Sequence, residues 1–105
     1  MSVRVVITRH FRKGNRSEPT VLLMELRSLA ALQEGYMSGE TLINADSPGK
    51  VVTVSNWNAR HNWEGWRRNP RRAQLATELE EFLESPEQVE YYISGKKSPE
   101  WVDMA

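Results

Sequence analysis

The sequence has no cysteine, no long apolar run and no net charge, and each absence excludes a class of protein. Without cysteine the chain can form neither disulfides nor thiolate metal sites, and it has no thiol nucleophile. No apolar run approaches the roughly 18 residues that a membrane span requires. The 14 basic residues equal the 14 acidic residues, which disfavours a nucleic-acid partner because such proteins usually carry a basic excess.

The chain ends and the histidines lead to three further expectations. Met1–Arg4 runs straight into a strand-like pattern without the layout of a signal peptide, so we expect a cytoplasmic protein. His10 and His61 are the only histidines and have no clustered carboxylates nearby, so we expect no metal site. We expect one domain over residues 1–95 and a tail over 96–105, in which Trp101 either frays or docks on the body or on a partner subunit.

Periodicity along the chain predicts an α+β fold with the element order βαββαβ. Residues 3–11 alternate like a half-buried strand, with Val5 and Ile7 on one face and His10 on the other; which face meets the helices stays open. A leucine stripe up to Leu32 predicts a helix that Ser17 caps and that ends near residue 33. Residues 36–45 and 51–57 should form an antiparallel hairpin.

The second half of the chain predicts two short helices and a last strand. Asn58 can cap a helix that reaches about Arg68, and Pro70 separates it from a further helix with an apolar stripe. Residues 89–93 form the last strand. Two helices can cover only one face of such a sheet, and a second copy packed on the other face would bury it, so we expect a homodimer.

Several segments follow one another at the spacing of a known family. They are Lys13-Gly14, Glu34-Gly35-Tyr36, Asp46-Ser47-Pro48-Gly49-Lys50, Val52-Thr53-Val54-Ser55-Asn56-Trp57, and the run from Trp57 through Trp66 to Asn69-Pro70. In this order the chain, from Val3 to about Ile93, resembles the antibiotic-biosynthesis-monooxygenase family. The resemblance implies a dimeric α+β barrel with a ferredoxin-like antiparallel sheet.

The resemblance also implies a range of activities. Members of the family include cofactor-independent oxygenases of quinols and polycyclic phenols, haem-degrading enzymes and proteins with no known activity. In the haem-degrading branch a Trp stands beside an iron-ligating His and an Asn. Trp66 matches the Trp, but the other two positions fall near Ala76 and Ile7. We therefore expect no cofactor, and haem binding would require another mode through His10 or His61.

The stretch from Trp57 to Trp66 contains the candidate site. Asn62 and Trp66 share a helix face at i,i+4 spacing, and an aromatic wall with an amide and an imidazole suits a flat aromatic substrate. On this hypothesis the catalytic residues act as oxyanion donors or general bases, and they are Trp66, Asn62, His61 and His10. The substrate-binding residues are Trp63, Arg9, Tyr36 and Trp57. The alternative is that the tryptophans fill the core or a dimer interface and that the histidines have surface or structural roles.

The leading hypothesis is therefore a cofactor-independent monooxygenase that acts on a small aromatic, phenolic or quinol compound. As the resemblance implies, the substrate would be deprotonated and its anion would react with dioxygen directly. The alternative is a non-catalytic dimeric ligand-binding or stress-associated protein of the same fold. The five arginines between residues 60 and 72 are either solvated helix faces or a basic rim that draws an anionic ligand toward a pocket.

Overall fold

The computed structural model describes residues 2–94, which form a four-stranded antiparallel sheet with three helices on one face. The strand order is β2-β3-β1-β4, the ferredoxin-like order that the sequence predicts. The tail with Trp101, and with it the boundary at residue 95, lies outside the described residues. The elements are β1 (Val3–His10), α1 (Ser17–Ala30), β2 (Tyr36–Ile43), β3 (Lys50–Trp57), α2 (Arg60–Arg67), α3 (Pro70–Glu80) and β4 (Gln88–Tyr92).

β1 is central in the sheet, and its alternation decides which side chains meet the helices. Val5 and Ile7 are buried beneath the helices, and Arg9 shares their face because side chains alternate along a strand. His10 is half-buried and belongs to the opposite face. The structure thus answers the question that the sequence left open.

The helices bury the inner face of the sheet with a core of aliphatic side chains and tryptophans. Leu26 on α1 and Leu75 and Leu79 on α3 are buried, as their spacing predicts. The prediction for Leu32 is wrong: α1 ends at Ala30, and the turn that follows leaves Leu32 79% exposed.

The residues at the N-terminal caps of the helices differ in part from the predicted ones. Ser17 is the first residue of α1 rather than its cap, and its N–H donates to Oδ1 of Asn15 (2.8 Å). At α2 the N-cap position belongs to Ala59, and no side chain caps the helix. At α3, Asn69 accepts from the N–H of Arg71 and Pro70 occupies the first turn, where its missing N–H costs nothing.

The outer face of the sheet has no helix of residues 2–94 over it. Three valines are half-buried at its centre, Val6, Val52 and Val54, and Leu42 and Tyr92 are exposed beside them. Arg4, Lys50, Glu40 and Glu90 surround this apolar patch, so its rim has charges of both signs. Among the described helices, none is long and apolar enough to cross a membrane.

Gly35 connects the end of α1 to β2 and sits tightly against α2. Its φ of +85° lies in the left-handed region, which glycine adopts without strain. Its carbonyl accepts from the N–H of Asn58 (2.7 Å), and a Cβ at this position would overlap the Asn62 side chain. The close approach of Asn62 therefore depends on glycine at position 35.

Replacing Gly35 with alanine should lower the free energy of unfolding by roughly 2 kcal/mol or more, because the new Cβ meets Asn62 and the backbone becomes strained. Gly65→Ala is the matched control: it lies within α2 with open space around it, and alanine should stabilise the helix by about 0.5–1 kcal/mol. Urea denaturation measures both. Equal midpoints for the two variants would contradict the packing described for Gly35.

Candidate active site

A small cavity, here called the inner cavity, lies between the inner face of the sheet and the helices. Its volume is about 50 Å³, and its walls combine apolar, aromatic and guanidinium groups. A larger groove of about 420 Å³, the outer groove, adjoins it between α1 and the ends of β2 and β3. Leu23, Arg27 and Thr41 belong to the walls of both. The two spaces are therefore neighbours that share these three side chains as wall.

Tyr36, Trp57 and Trp63 form an aromatic wall along the inner cavity. Tyr36 meets Trp57 edge-on with ring centroids 5.3 Å apart, and Trp57 meets Trp63 at 5.9 Å. The indole N–H of Trp57 donates to Oγ of Ser55 (2.9 Å), and that of Trp63 donates to the hydroxyl of Tyr91 (3.0 Å). Both indole donors are thus occupied within the fold, which fixes the orientation of the rings.

Trp66 also lines the inner cavity, but its indole donor is in a different situation. The side chain is buried, and its N–H donates no hydrogen bond to another of residues 2–94. A buried donor without a partner is costly in free energy. The Trp66 indole therefore has a donor that the other residues of 2–94 do not use.

Two buried arginines and one glutamate form an ionic cluster at the cavity, here called the Arg–Glu–Arg cluster. Arg9 on β1 and Arg72 on α3 are only 3% and 5% exposed. The Glu87 carboxylate, 18% exposed, contacts Nη2 of Arg9 at 2.8 Å and Nη2 of Arg72 at 3.1 Å. Arg9 also donates from Nη1 to Thr53 (3.4 Å), and the Arg72 guanidinium lies 5.1 Å from the ring centroid of Trp63.

Three elements bring this cluster together. After α3 the chain pairs with the end of β1, where the N–H of Glu84 donates to the carbonyl of His10 (2.8 Å), and Glu87 follows just before β4. Arg72 shares an apolar stripe with Leu75 and Leu79, which turns it toward the sheet. The cluster therefore joins β1, α3 and the start of β4.

The environment of the cluster shifts the pKa values of Glu87 and Arg9. Burial raises the pKa of Glu87, but the charges of Arg9 and Arg72 and their hydrogen bonds together lower it more, so it lies below the usual range. Burial lowers the pKa of Arg9 more than contact with Glu87 raises it, and the charge of Arg72 lowers it further. Arg9 remains a cation at neutral pH because a guanidinium is not deprotonated in proteins.

The structure brings together five of the eight side chains that the sequence predicts for the site. The residues that line the inner cavity are Arg9, Tyr36, Trp57, Trp63 and Trp66. Asn62 is half-buried against Gly35 and is not among the lining residues, and His61 is exposed. The sheet lies between His10 and the cavity. The catalytic roles of Asn62, His61 and His10 stay predictions that this arrangement does not support directly.

The sequence analysis included Arg72 only as one of five arginines in a possible basic rim, and it missed Glu87. Arg72 is one of five arginines in a short run, and the other four are exposed: Arg60, Arg67, Arg68 and Arg71. Arg60 pairs with Glu64 at 3.1 Å and Arg71 pairs with Glu25, as solvated helix faces do. The sequence feature that indicates burial of Arg72 is its spacing to Leu75 and Leu79, because the three residues recur at helical intervals. Glu87, in a loop, had no comparable signal.

Comparisons with solved structures show which fold this is. SnoaB, a cofactor-independent oxygenase from Streptomyces nogalater, superposes with a TM-score of 0.80 at 16% identity, over 93% of this chain and 97% of the oxygenase. Rv0793 from Mycobacterium tuberculosis gives 0.80 at 21% identity, over 90% and 95%. A structure described as an antibiotic biosynthesis monooxygenase gives 0.80 at 12% identity, over 88% and 97%.

The chain therefore has the fold of the antibiotic biosynthesis monooxygenases, and the resemblance inferred from the sequence is confirmed at the level of the fold. No protein-family model and no curated protein matches the sequence. Fold likeness does not determine chemistry, so any activity depends on the groups that line the cavity.

Replacing Glu87 with glutamine should destabilise the protein by about 3 kcal/mol at neutral pH, because two buried guanidiniums lose their counter-charge. The pKa of Glu87 is lowered on folding, so its stabilising effect is present above its unfolded pKa and is lost as pH falls through the folded pKa. The difference between wild type and Glu87→Gln should therefore shrink on acidification below the usual glutamate range.

Urea denaturation across pH measures this difference. Glu84→Gln, a change at an exposed glutamate three residues earlier, is the matched control and should leave stability nearly unchanged. A pH-independent difference for Glu87→Gln would contradict the ionic account of the cluster.

Proposed function

We propose that this chain is a cofactor-independent monooxygenase that acts on a small aromatic, phenolic or quinol compound. The observation that carries the proposal is the inner cavity, where an aromatic wall, the Trp66 indole and two buried guanidiniums converge. The fold that the chain shares with an oxygenase described as cofactor-independent supports it.

The cavity suits a flat ring that carries a negatively charged oxygen. Tyr36, Trp57 and Trp63 offer faces and edges for aromatic contact, and the N–H of Trp66 can stabilise an oxyanion. An electron-rich substrate anion can react with dioxygen at an activated carbon. One oxygen atom then stays on the substrate and the other leaves as water, and the electrons that reduce dioxygen come from the substrate. Proton removal by His61 or His10, with Asn62 as a further donor, is the prediction from sequence.

The size of the inner cavity restricts how a substrate can bind. Its volume of about 50 Å³ is smaller than the roughly 150 Å³ that encloses a benzene ring. The outer groove of about 420 Å³ is large enough. We infer that the ring enters from the outer groove and that Leu23, Arg27 or Thr41 moves aside, so that the charged oxygen reaches Trp66.

We also propose that the protein is cytoplasmic and forms a homodimer. The outer sheet face has an apolar centre of Val6, Val52 and Val54 with Leu42 beside it, and monomeric proteins seldom expose large apolar patches. Its rim carries both signs of charge, which allows a second copy to pair with it. Packing of two such faces would bury the patch in the same way that helices bury the inner face.

The runner-up is a non-catalytic dimeric protein that uses the same cavity to bind a ligand. The observation that favours it is that no imidazole lines the inner cavity. Sustained dioxygen uptake in the presence of a bound phenol or quinol would exclude this alternative.

Trp66→Phe should lower kcat about 100-fold on a phenol or quinol that the wild type oxidises, because phenylalanine keeps the ring but removes the oxyanion donor. Dioxygen uptake measures the rate. Thr77→Ala, an exposed change on α3, is the control and should keep the wild-type rate. Unchanged turnover in Trp66→Phe would contradict the role of the indole, and no uptake by the wild type with any phenol or quinol would contradict the proposed activity.

Val54→Lys should convert the proposed dimer to a monomer, because a charge at the centre of the outer face cannot be buried without a partner. Light scattering after size exclusion measures the mass. Val21→Lys is the matched control: Val21 is 63% exposed on α1, and the same change there should leave a dimer. A monomeric wild type, or a dimeric Val54→Lys, would contradict this assignment of the interface.

A further inference from the structure

The buried charges at the inner cavity do not balance. Arg9 and Arg72 contribute two positive charges and Glu87 contributes one negative charge, so the cluster holds an excess of one positive charge. An uncompensated buried charge is costly because it has lost its hydration. A ligand with one negative charge would compensate it.

The hydrogen bonds of the cluster show which guanidinium can bind such a ligand. Arg9 uses Nε and Nη2 for Glu87 and Nη1 for Thr53. Arg72 donates only from Nη2 within residues 2–94, so its Nε and Nη1 have no acceptor among these residues. Both arginines line the inner cavity together with Trp66. Within residues 2–94, Arg72 and Trp66 therefore have N–H donors without an acceptor, and Arg9 adds a second positive charge to the same cavity.

The other ionisable groups around the cavity offer no obvious acceptor for a substrate proton. Glu40 contributes to the wall, but it lies in register with Val54 and Val6, which puts its side chain on the outer face of the sheet. β3 and α2 contribute Thr53, Ser55 and the tryptophans. Among residues 2–94, the ionisable side chains that face the site are Arg27 on α1, Tyr36 on β2, Arg9 on β1 and Arg72 on α3, and Glu87 contacts the two buried arginines.

We propose that the inner cavity selects its aromatic substrate in the ionised form, with an anionic oxygen bound by Arg72 and Trp66. This inference rests on the proposed function in taking the inner cavity as the substrate site. It adds Arg72, which the sequence indicated only as part of a basic rim, to the predicted residue Trp66 as the groups that select the substrate. The substrate proton is released to water, so no histidine is needed as a base.

The proposal determines the direction of a pH effect. A nearby cation favours the charged form of an acid, so the pKa of a bound phenol is lower than that of the free phenol. Binding therefore strengthens as pH rises through the pKa of the free phenol, and the bound molecule is ionised at a pH where the free molecule is mostly neutral. An aromatic carboxylate has the same chemistry and is ionised throughout this range.

The test is a titration with 4-nitrophenol, whose ionised form has its own visible absorption band and whose pKa lies near neutrality. Below that pKa, wild-type protein should increase the phenolate band. Arg72→Gln should weaken phenolate binding about 10-fold or more, since a charge-assisted hydrogen bond is lost, whereas Arg72→Lys keeps the charge and should retain most of the increase. Arg67→Gln, an exposed arginine on α2, is the matched control and should bind like wild type.

Two further ligands separate the possible outcomes. The neutral 4-nitroanisole should bind equally to wild type and Arg72→Gln, which also verifies that the variant is folded. Benzoate that displaces nitrophenolate from wild type, but binds Arg72→Gln weakly, would extend the selected class to carboxylates. Failure of benzoate to compete would restrict it to phenolates.

Binding of 4-nitrophenol without an increase in the phenolate band, or an increase that survives in Arg72→Gln, would overturn the inference and leave the proposed function standing. Binding of neither nitrophenol nor nitroanisole to wild type would instead contradict the cavity as an aromatic site, and with it the proposed function.

Discussion

The contact of the Glu87 carboxylate with Arg9 and Arg72 is the constraint on which the site depends. A buried ion pair adds little net stability, because desolvation offsets much of the Coulomb attraction. Here the ion pair determines where the side chains lie, because one carboxylate holds two guanidiniums from β1 and α3 beside the tryptophans. Without that carboxylate, two buried cations would face each other in the fold. The cluster therefore ties the packing of three elements to the electrostatics of the cavity.

The two faces of the sheet differ in what their side chains contact. The inner face carries the core, the aromatic wall and the ionic cluster beneath the helices. The outer face remains apolar at its centre and charged at its rim, which is the chemistry of a self-pairing surface. Because side chains alternate along each strand, Arg9 and His10 are adjacent in sequence but belong to different faces. A one-residue difference in position thus decides whether a side chain reaches the cavity or the proposed interface.

Much of the fold could be predicted from the sequence because its signals are local. The alternation of β1, the hairpin around Pro48 and the start of α3 at Pro70 depend on neighbouring residues alone. The end of α1 could not be predicted from the leucine stripe, since Leu32 continues the spacing after the helix has ended. The tail with Trp101 lies outside the described residues.

The candidate site could be predicted only in part, because it combines residues that are distant in sequence. The tryptophans were conspicuous by their type, and five predicted residues line the cavity. Arg72 was obscured by exposed arginines around it, although its spacing to Leu75 indicates burial. The position of Glu87 depends on the pairing of the chain after α3 with β1, and this pairing has no local signal in the sequence. An arginine on an apolar stripe is the sequence feature that indicates such a cluster.

We infer that the cavity beside the Arg–Glu–Arg cluster binds an ionised aromatic ring. The most direct measurement is a crystal structure with 4-bromophenol above the pKa of that phenol, in which the anomalous signal of bromine locates the ring. We expect bromine in or beside the outer groove and the phenolate oxygen within hydrogen-bond distance of Arg72 and Trp66. Bromine on the outer sheet face, or an oxygen that contacts neither residue, would contradict it.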